Sequence, residues 1–140
     1  MKRSVIKERM KIYLDIDGVL LDHNYEQMSH LREFVKAVFD VAGDEVYWLS
    51  THTKHGESDV ALYHLEDLDR DILDMLKRVK NTKWDTLKTE GIDLDSEFIW
   101  FDDNVFNAEY RVLEKVNKEY CLIKVENNLE EIVDLLKEED

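Results

Sequence analysis

"KIYLDIDGVLLD", Lys11 to Asp22, opens as a β-prone run and then places Asp15, Asp17 and Asp22 where apolar residues are expected. The stretch from Lys11 to Ile16 has the continuous apolar character of a strand buried on both faces of a parallel sheet. Charged groups in such a strand are costly unless they serve a purpose. Residues two apart on a strand point the same way, so Asp15 and Asp17 face one site until the chain turns at Gly18. Asp22 lies past that turn and is expected to begin a loop.

Outward from this strand, the pattern alternates. Met28, Leu31, Phe34, Val35, Val38 and Phe39 recur at helical spacing, with Gly43 just beyond them as a terminator. "EVYWLS", Glu45 to Ser50, predicts a second strand. The stripe Leu62, Leu65, Leu68, Ile72, Leu73, Leu76 and Val79 predicts one long amphipathic helix over Ser58 to Val79. A short strand is expected near Arg78 to Lys80. "TKWDTLKTEG" predicts a short helix opened by Thr82 and closed by Gly91, and "EFIWF", Glu97 to Phe101, another buried strand. Val105, Val112, Leu113 and Val116 mark a helix, "YCLIKV" a strand, and Leu129, Ile132, Val133 and Leu136 a last helix before a frayed "KEED" end. Strands alternating with helices predict an α/β chain: a three-layer, Rossmann-like fold, its central parallel sheet covered by helices on both faces and joined by right-handed crossovers.

The composition narrows the class. A chain of 140 residues is the size of one domain. A net charge of −14 disfavours sequence-blind binding to polynucleotides or anionic lipid, with "KRVKNTK", Lys77 to Lys83, as a local basic exception. Cys121 is the one cysteine, so neither a disulfide framework nor a thiolate metal cluster forms within the chain. The N-terminal segment "MKRSVIKERMKIYLDIDG" contains no uninterrupted apolar stretch of signal-peptide or membrane-spanning length. The expectation is a cytoplasmic protein without membrane association.

Ligands of parallel sheets bind beyond the carboxyl ends of the strands. Here those ends carry Asp15 and Asp17, Ser50 and Thr51, and Asp102 and Asp103, with Lys83 ahead of the last pair. Four carboxylates converging on one sheet edge repel unless a cation compensates them. Magnesium suits an all-oxygen set that leaves room for water and a phosphate, whereas zinc would call for histidine or thiolate. Each residue also has a plainer use: Asp15 and Asp17 in a turn at Gly18, Asp102 and Asp103 as a helix cap, one of Ser50 and Thr51 as a turn cap. Lys80 and Lys88 compete with Lys83. His52 and His55, in "STHTKHG", read as solvated loop residues, while Trp48 and Trp100 read as sheet packing.

These motifs, in this order, resemble the haloacid dehalogenase (HAD) superfamily of phosphohydrolases: Asp-x-Asp-Gly-Val at Asp15 to Val19, a hydroxyl residue after the second strand, a lysine, and an apolar run ending in Asp102-Asp103. The resemblance spans roughly Lys11 to Asn107 and implies one HAD-like domain over residues 1–140. It implies Asp15 as nucleophile forming an aspartyl-phosphate and Asp17 as general acid, then base. Ser50, preferred to its neighbour Thr51, and Lys83 would hold the phosphoryl oxygens. Magnesium would be bound by Asp15, the Asp17 backbone carbonyl and Asp102, with Asp103 contributing through water or by orienting Asp102.

Neither gap between motifs has room for a cap domain, so an open site is expected. The expected activity is a magnesium-dependent phosphatase acting on a nucleotide or other small phosphoester, with long nucleic acid disfavoured by charge. A looser likeness to small capless members of nucleic-acid end repair and a phosphoprotein substrate are the alternatives, as is closure of the site by a partner protein. A receiver domain or a silent phosphate-binding module would share the fold, but the Asp-x-Asp opening and the intact acids favour an enzyme.

Overall fold

The computed structural model describes residues 10–138. The N-terminal reading of residues 1–9 and the fraying of the last two residues lie outside them. Strands β1 (Lys11–Leu14), β2 (Val46–Trp48), β3 (Phe98–Asp102) and β4 (Leu122–Lys124) form one sheet in the order β2-β1-β3-β4. Every pairing is parallel, with Ile12 opposite both Val46 and Ile99, and Trp100 opposite Leu122. The chain is therefore α/β with an all-parallel sheet, as the alternation predicts.

Side-chain alternation explains why these short strands are so apolar. Ile12 and Leu14 join one buried cluster with Phe34 and Val38 of α1 (Leu31–Ala42), Ile72 and Leu76 of α3 (Arg70–Leu76) and Ile132 and Leu136 of α5 (Leu129–Lys137). Tyr13, between them, joins a second cluster with Trp84, Trp100 and Leu113 of α4 (Asn107–Lys115). A strand whose successive residues enter different apolar clusters has no polar face to spare. Gly43 ends α1 at φ +61°, its N–H donating to Phe39 O at 2.8 Å.

The expected long helix is broken in two. Helix α2 (Ser58–His64) stops before Leu65, and α3 starts again at Arg70. Leu65 and Leu68 are both buried in the turn between them, which a continuous helix also permits. The break is fixed from outside: Arg32 of α1 forks onto Asp69 at 2.7 Å and Asp71 at 2.6 Å, and the Asp69 N–H donates to Gln27 Oε1 at 2.9 Å. The strand expected near Arg78 to Lys80 shrinks to one bridge, in which the Lys80 backbone bonds Val46 O and the Trp48 N–H. The helix expected from Thr82 to Gly91 is a single 3₁₀ turn, Lys88–Gly91. Thr82 does not cap a helix: it donates its hydroxyl to Trp48 O at 2.6 Å and so stays beside the sheet. Among the described residues, no helix is long and apolar enough to cross a membrane.

Candidate functional site

Sheet register builds the site. The pairing of Leu14 with Phe101 continues into a hydrogen bond from the Asp15 N–H to Phe101 O at 3.1 Å, which sets Asp15 beside Asp102 at the end of β3. Both strands stop there, and the chain turns away at Ile16 to Leu21 and at Asp103. Asp15, Asp102 and Asp103 each offer a carboxylate oxygen, and these oxygens lie within 4.8 Å of one another. The three acids could hold a metal ion, and the donor set is all oxygen.

The cation facing them is Lys88, not Lys83. Lys88 Nζ donates to Asp102 Oδ2 at 2.7 Å and stands 3.4 Å from Asp15 Oδ1. Asp15, Lys88 and Asp102 are only 7%, 8% and 1% exposed, so this charged group sits almost entirely out of water. Asp102 is further held by Trp100 Nε1 at 3.2 Å and the Asn104 N–H at 3.1 Å. Lys83 is exposed, pairs through its backbone with His55, and lays its side chain along Gly56, where no Cβ intervenes. Lys80 lies near Glu45 at 3.6 Å.

Two glutamates aim Lys88. The Glu90 carboxylate accepts the N–H groups of Asp85, Thr86 and Leu87 at 2.9, 3.2 and 3.2 Å, folding the turn that carries the lysine. Glu109, buried in the first turn of α4, accepts the Lys88 N–H at 2.7 Å and the Phe106 N–H at 3.0 Å. One carboxylate thereby ties the lysine turn to the helix that comes after Asp102 and Asp103. Glu109 is legible in sequence only as a helix-start acid; its second partner is not.

Burial, and next the charge of Asp102, push the Asp15 carboxyl well above its ordinary value, although Lys88 pulls the other way. Burial and Asp102 raise Asp103 for the same reasons. For Lys88, burial opposes the charge, but Asp15 and Asp102 more than offset it and hold the ammonium above its usual range. The cluster is short of positive charge.

The Asp17 carboxylate stands apart from the trio. Its Oδ2 lies 2.9 Å from His52 Nε2, so His52 is not the solvated loop residue expected from the sequence. Of the two hydroxyl residues, Thr51 lines the cleft, while Ser50 is fully buried with its Oγ accepting the His52 N–H at 3.1 Å. His55 remains exposed, as expected. Asp22 serves a turn: its Oδ1 accepts the N–H groups of Asn24 and Glu26 at 2.8 and 3.0 Å. The cleft over the acids is about 200 Å³ and is walled by Trp84 on one side and the exposed Phe106 at its mouth.

Gly18 permits this convergence. At φ +83°, it allows the Asp103 carboxylate to approach so closely that an added Cβ would lie 2.0 Å from Oδ2. Gly18→Ala is expected to displace Asp103, to cost about 1–3 kcal/mol in backbone strain and to weaken divalent-cation binding several-fold. A magnesium titration followed by melting temperature checks this; unchanged affinity would mean that Asp103 takes no part in a cation site.

The basic run is largely neutralised where it lies: Lys77 pairs with Asp74 at 3.2 Å, Arg78 with Asp44 at 3.1 Å and Lys80 with Glu45 at 3.6 Å. In the comparisons with known proteins, no protein-family model, no curated protein and no solved structure matches the chain.

Proposed function

We propose that this chain is a magnesium-dependent phosphomonoester hydrolase of the haloacid dehalogenase type, working through an aspartyl-phosphate on Asp15. The observation that carries the reading is the meeting of Asp15, Asp102 and Asp103 at the carboxyl ends of adjacent parallel strands with Lys88 facing them, all but Asp103 buried. Three hard oxygen donors and a net shortage of positive charge fit a magnesium ion that retains water and takes up a phosphate oxygen. Asp15, Asp102, Asp103 and the Asp17 carbonyl would hold it. Bound there, the ion supplies positive charge to the phosphoryl oxygens.

The chain's own groups then divide the work. Asp15 Oδ attacks phosphorus in line as the ester P–O bond breaks, and Asp17 gives its proton to the departing oxygen. The Lys88 ammonium, with the hydroxyl of Thr51 in the cleft, balances the charge that an anionic nucleophile meets on a phosphate. In the second half, Asp17 takes a proton from water as that water attacks phosphorus, the bond to Asp15 breaks, and inorganic phosphate leaves.

A cleft of about 200 Å³ lies below the ~300 Å³ at which ordinary ligand pockets begin. It suits a phosphoryl group and the start of its ester, with the rest of the substrate outside. This supports an open site acting on a nucleotide or other small phosphoester. The paired acids around Lys77 to Lys80 support the exclusion of long nucleic acid. Release of phosphate from para-nitrophenyl phosphate with magnesium, lost on chelation, tests the proposal; no release under either condition would sink it.

Cation binding should also be linked to protons. Because Asp15 and Asp103 hold protons more tightly folded than unfolded, they favour folding below the ordinary value of 3.8. That contribution is lost as pH rises through their raised folded values. A magnesium ion held there would compete with those protons, so its stabilisation is expected to be smaller at pH 5 than at pH 8. At a hundredfold excess over Kd it reaches about 2.7 kcal/mol, or about 10 °C in melting temperature for a domain of this size. Scanning calorimetry at both pH values is the check, and equal shifts would count against an ion among these acids.

A further inference from the structure

We infer that His52 is a positioning residue for Asp17, and that the pair equips the site for phosphomonoesters of alcohols, whose leaving oxygen must be protonated as it departs. This rests on the hydrolase reading above. His52 sits in the 3₁₀ turn Thr51–Thr53, directly after the β2 segment. That turn is anchored in the core: Ser50 is fully buried, its Oγ accepts the His52 N–H at 3.1 Å, and its carbonyl accepts from Thr53 Oγ1 and Trp84 Nε1 at 3.3 Å each. The imidazole packs on the ring of His64 in α2, centroids 3.8 Å apart. Backbone and ring are thus both fixed before Nε2 meets Asp17 Oδ2 at 2.9 Å.

Asp17 has no comparable support of its own. Its side chain is 49% exposed, against 25% for His52, and it lies in the turn past β1. Among the described residues, His52 is the side chain that hydrogen-bonds this carboxylate. With Nε2–H donating to Oδ2, the transferable proton of Asp17 is confined to Oδ1, the oxygen left for the substrate. As the Asp15–P bond forms and the ester P–O bond breaks, that proton passes from Oδ1 to the leaving oxygen, and a neutral alcohol departs. The ionised Asp17, still held at Oδ2, recovers a proton from the water that hydrolyses the intermediate. An ester with a good leaving group, such as para-nitrophenyl phosphate, needs no proton at the first step.

The test compares wild type, His52→Gln and His52→Asn on benzyl phosphate and para-nitrophenyl phosphate, two ring esters that differ chiefly in leaving-group acidity. The glutamine amide reaches the position of Nε2 and the shorter asparagine does not. His52→Asn is expected to lower kcat/KM for benzyl phosphate by about 10- to 100-fold and for para-nitrophenyl phosphate far less. The ratio between the substrates therefore moves at least about tenfold, and His52→Gln restores most of it. Because kcat/KM covers the steps up to alcohol release, a merely structural loss would lower both substrates alike. Equal losses on the two esters, or no loss on benzyl phosphate, overturn the inference while leaving the hydrolase reading intact. A wild type that turns over neither ester overturns both.

Discussion

Asp15→Asn is expected to abolish phosphate release and, at the same time, to raise the melting temperature of the cation-free protein. Asp15 is the proposed nucleophile, so the loss in kcat should be about 10⁴- to 10⁶-fold. The stability effect has the opposite sign because of what surrounds it. Asp15 and Asp102 are both almost fully buried and share one counter-ion, Lys88. Asparagine keeps the shape, removes one of the two negative charges and leaves a balanced Lys88–Asp102 pair. A gain of about 1–2 kcal/mol at pH 8, or about 3–8 °C, is the expected size. Melting in a chelator, beside a para-nitrophenyl phosphate assay, measures both. A variant that loses stability would mean that Asp15 is there to hold the fold; one that keeps activity would remove it from the chemistry.

Lys88→Met should fail on both counts. Removing the ammonium strands Asp15 and Asp102, which are almost fully buried, and breaking such a buried group by deleting one partner typically costs about 3–5 kcal/mol. The cost should shrink as the pH falls, because Asp15, with its raised affinity for protons, sheds its charge earlier than an ordinary carboxyl. Turnover should fall by about 10²- to 10³-fold, the usual loss when one fixed donor to a developing charge is removed. Magnesium should recover more of the stability than of the activity, since an ion among the acids supplies charge but does not stand where the ammonium does. Lys83→Met, in contrast, touches neither acid. Similar losses for both lysine variants would contradict the assignment to Lys88.

The two central strands and the acids at their ends were legible in the sequence because burial on both faces leaves a run without charge from Ile12 to Leu14 and from Phe98 to Phe101, ended in each case by an acid. The segments between strands were less legible. Lys83 and Lys88 are equivalent as letters, and the choice between them depends on Glu109, twenty-one residues beyond Lys88 in the chain, reaching back to its N–H. The stripe from Leu62 to Val79 fits one helix as well as two. Only Arg32 and Gln27, on segments far away in sequence, select the break by holding Asp69 and Asp71. His52 looked solvated because nothing local marks a ring as packed between His64 and Asp17. In each case, the missing information is a contact between distant parts of the chain, which periodicity does not carry.

The strand order β2-β1-β3-β4 has a consequence for how the site can be lost. Its acids hang from β1 and β3, the middle pair, joined through partners such as Lys11 and Phe98 that are far apart in the chain. Fraying of β4 or of the last helix leaves that pair in place, and local openings of this kind are the inexpensive ones in a folded domain. To separate Asp15 from Asp102, the sheet must part along its centre, an event close to complete unfolding. Occupancy of the site is therefore a measure of the integrity of the whole molecule.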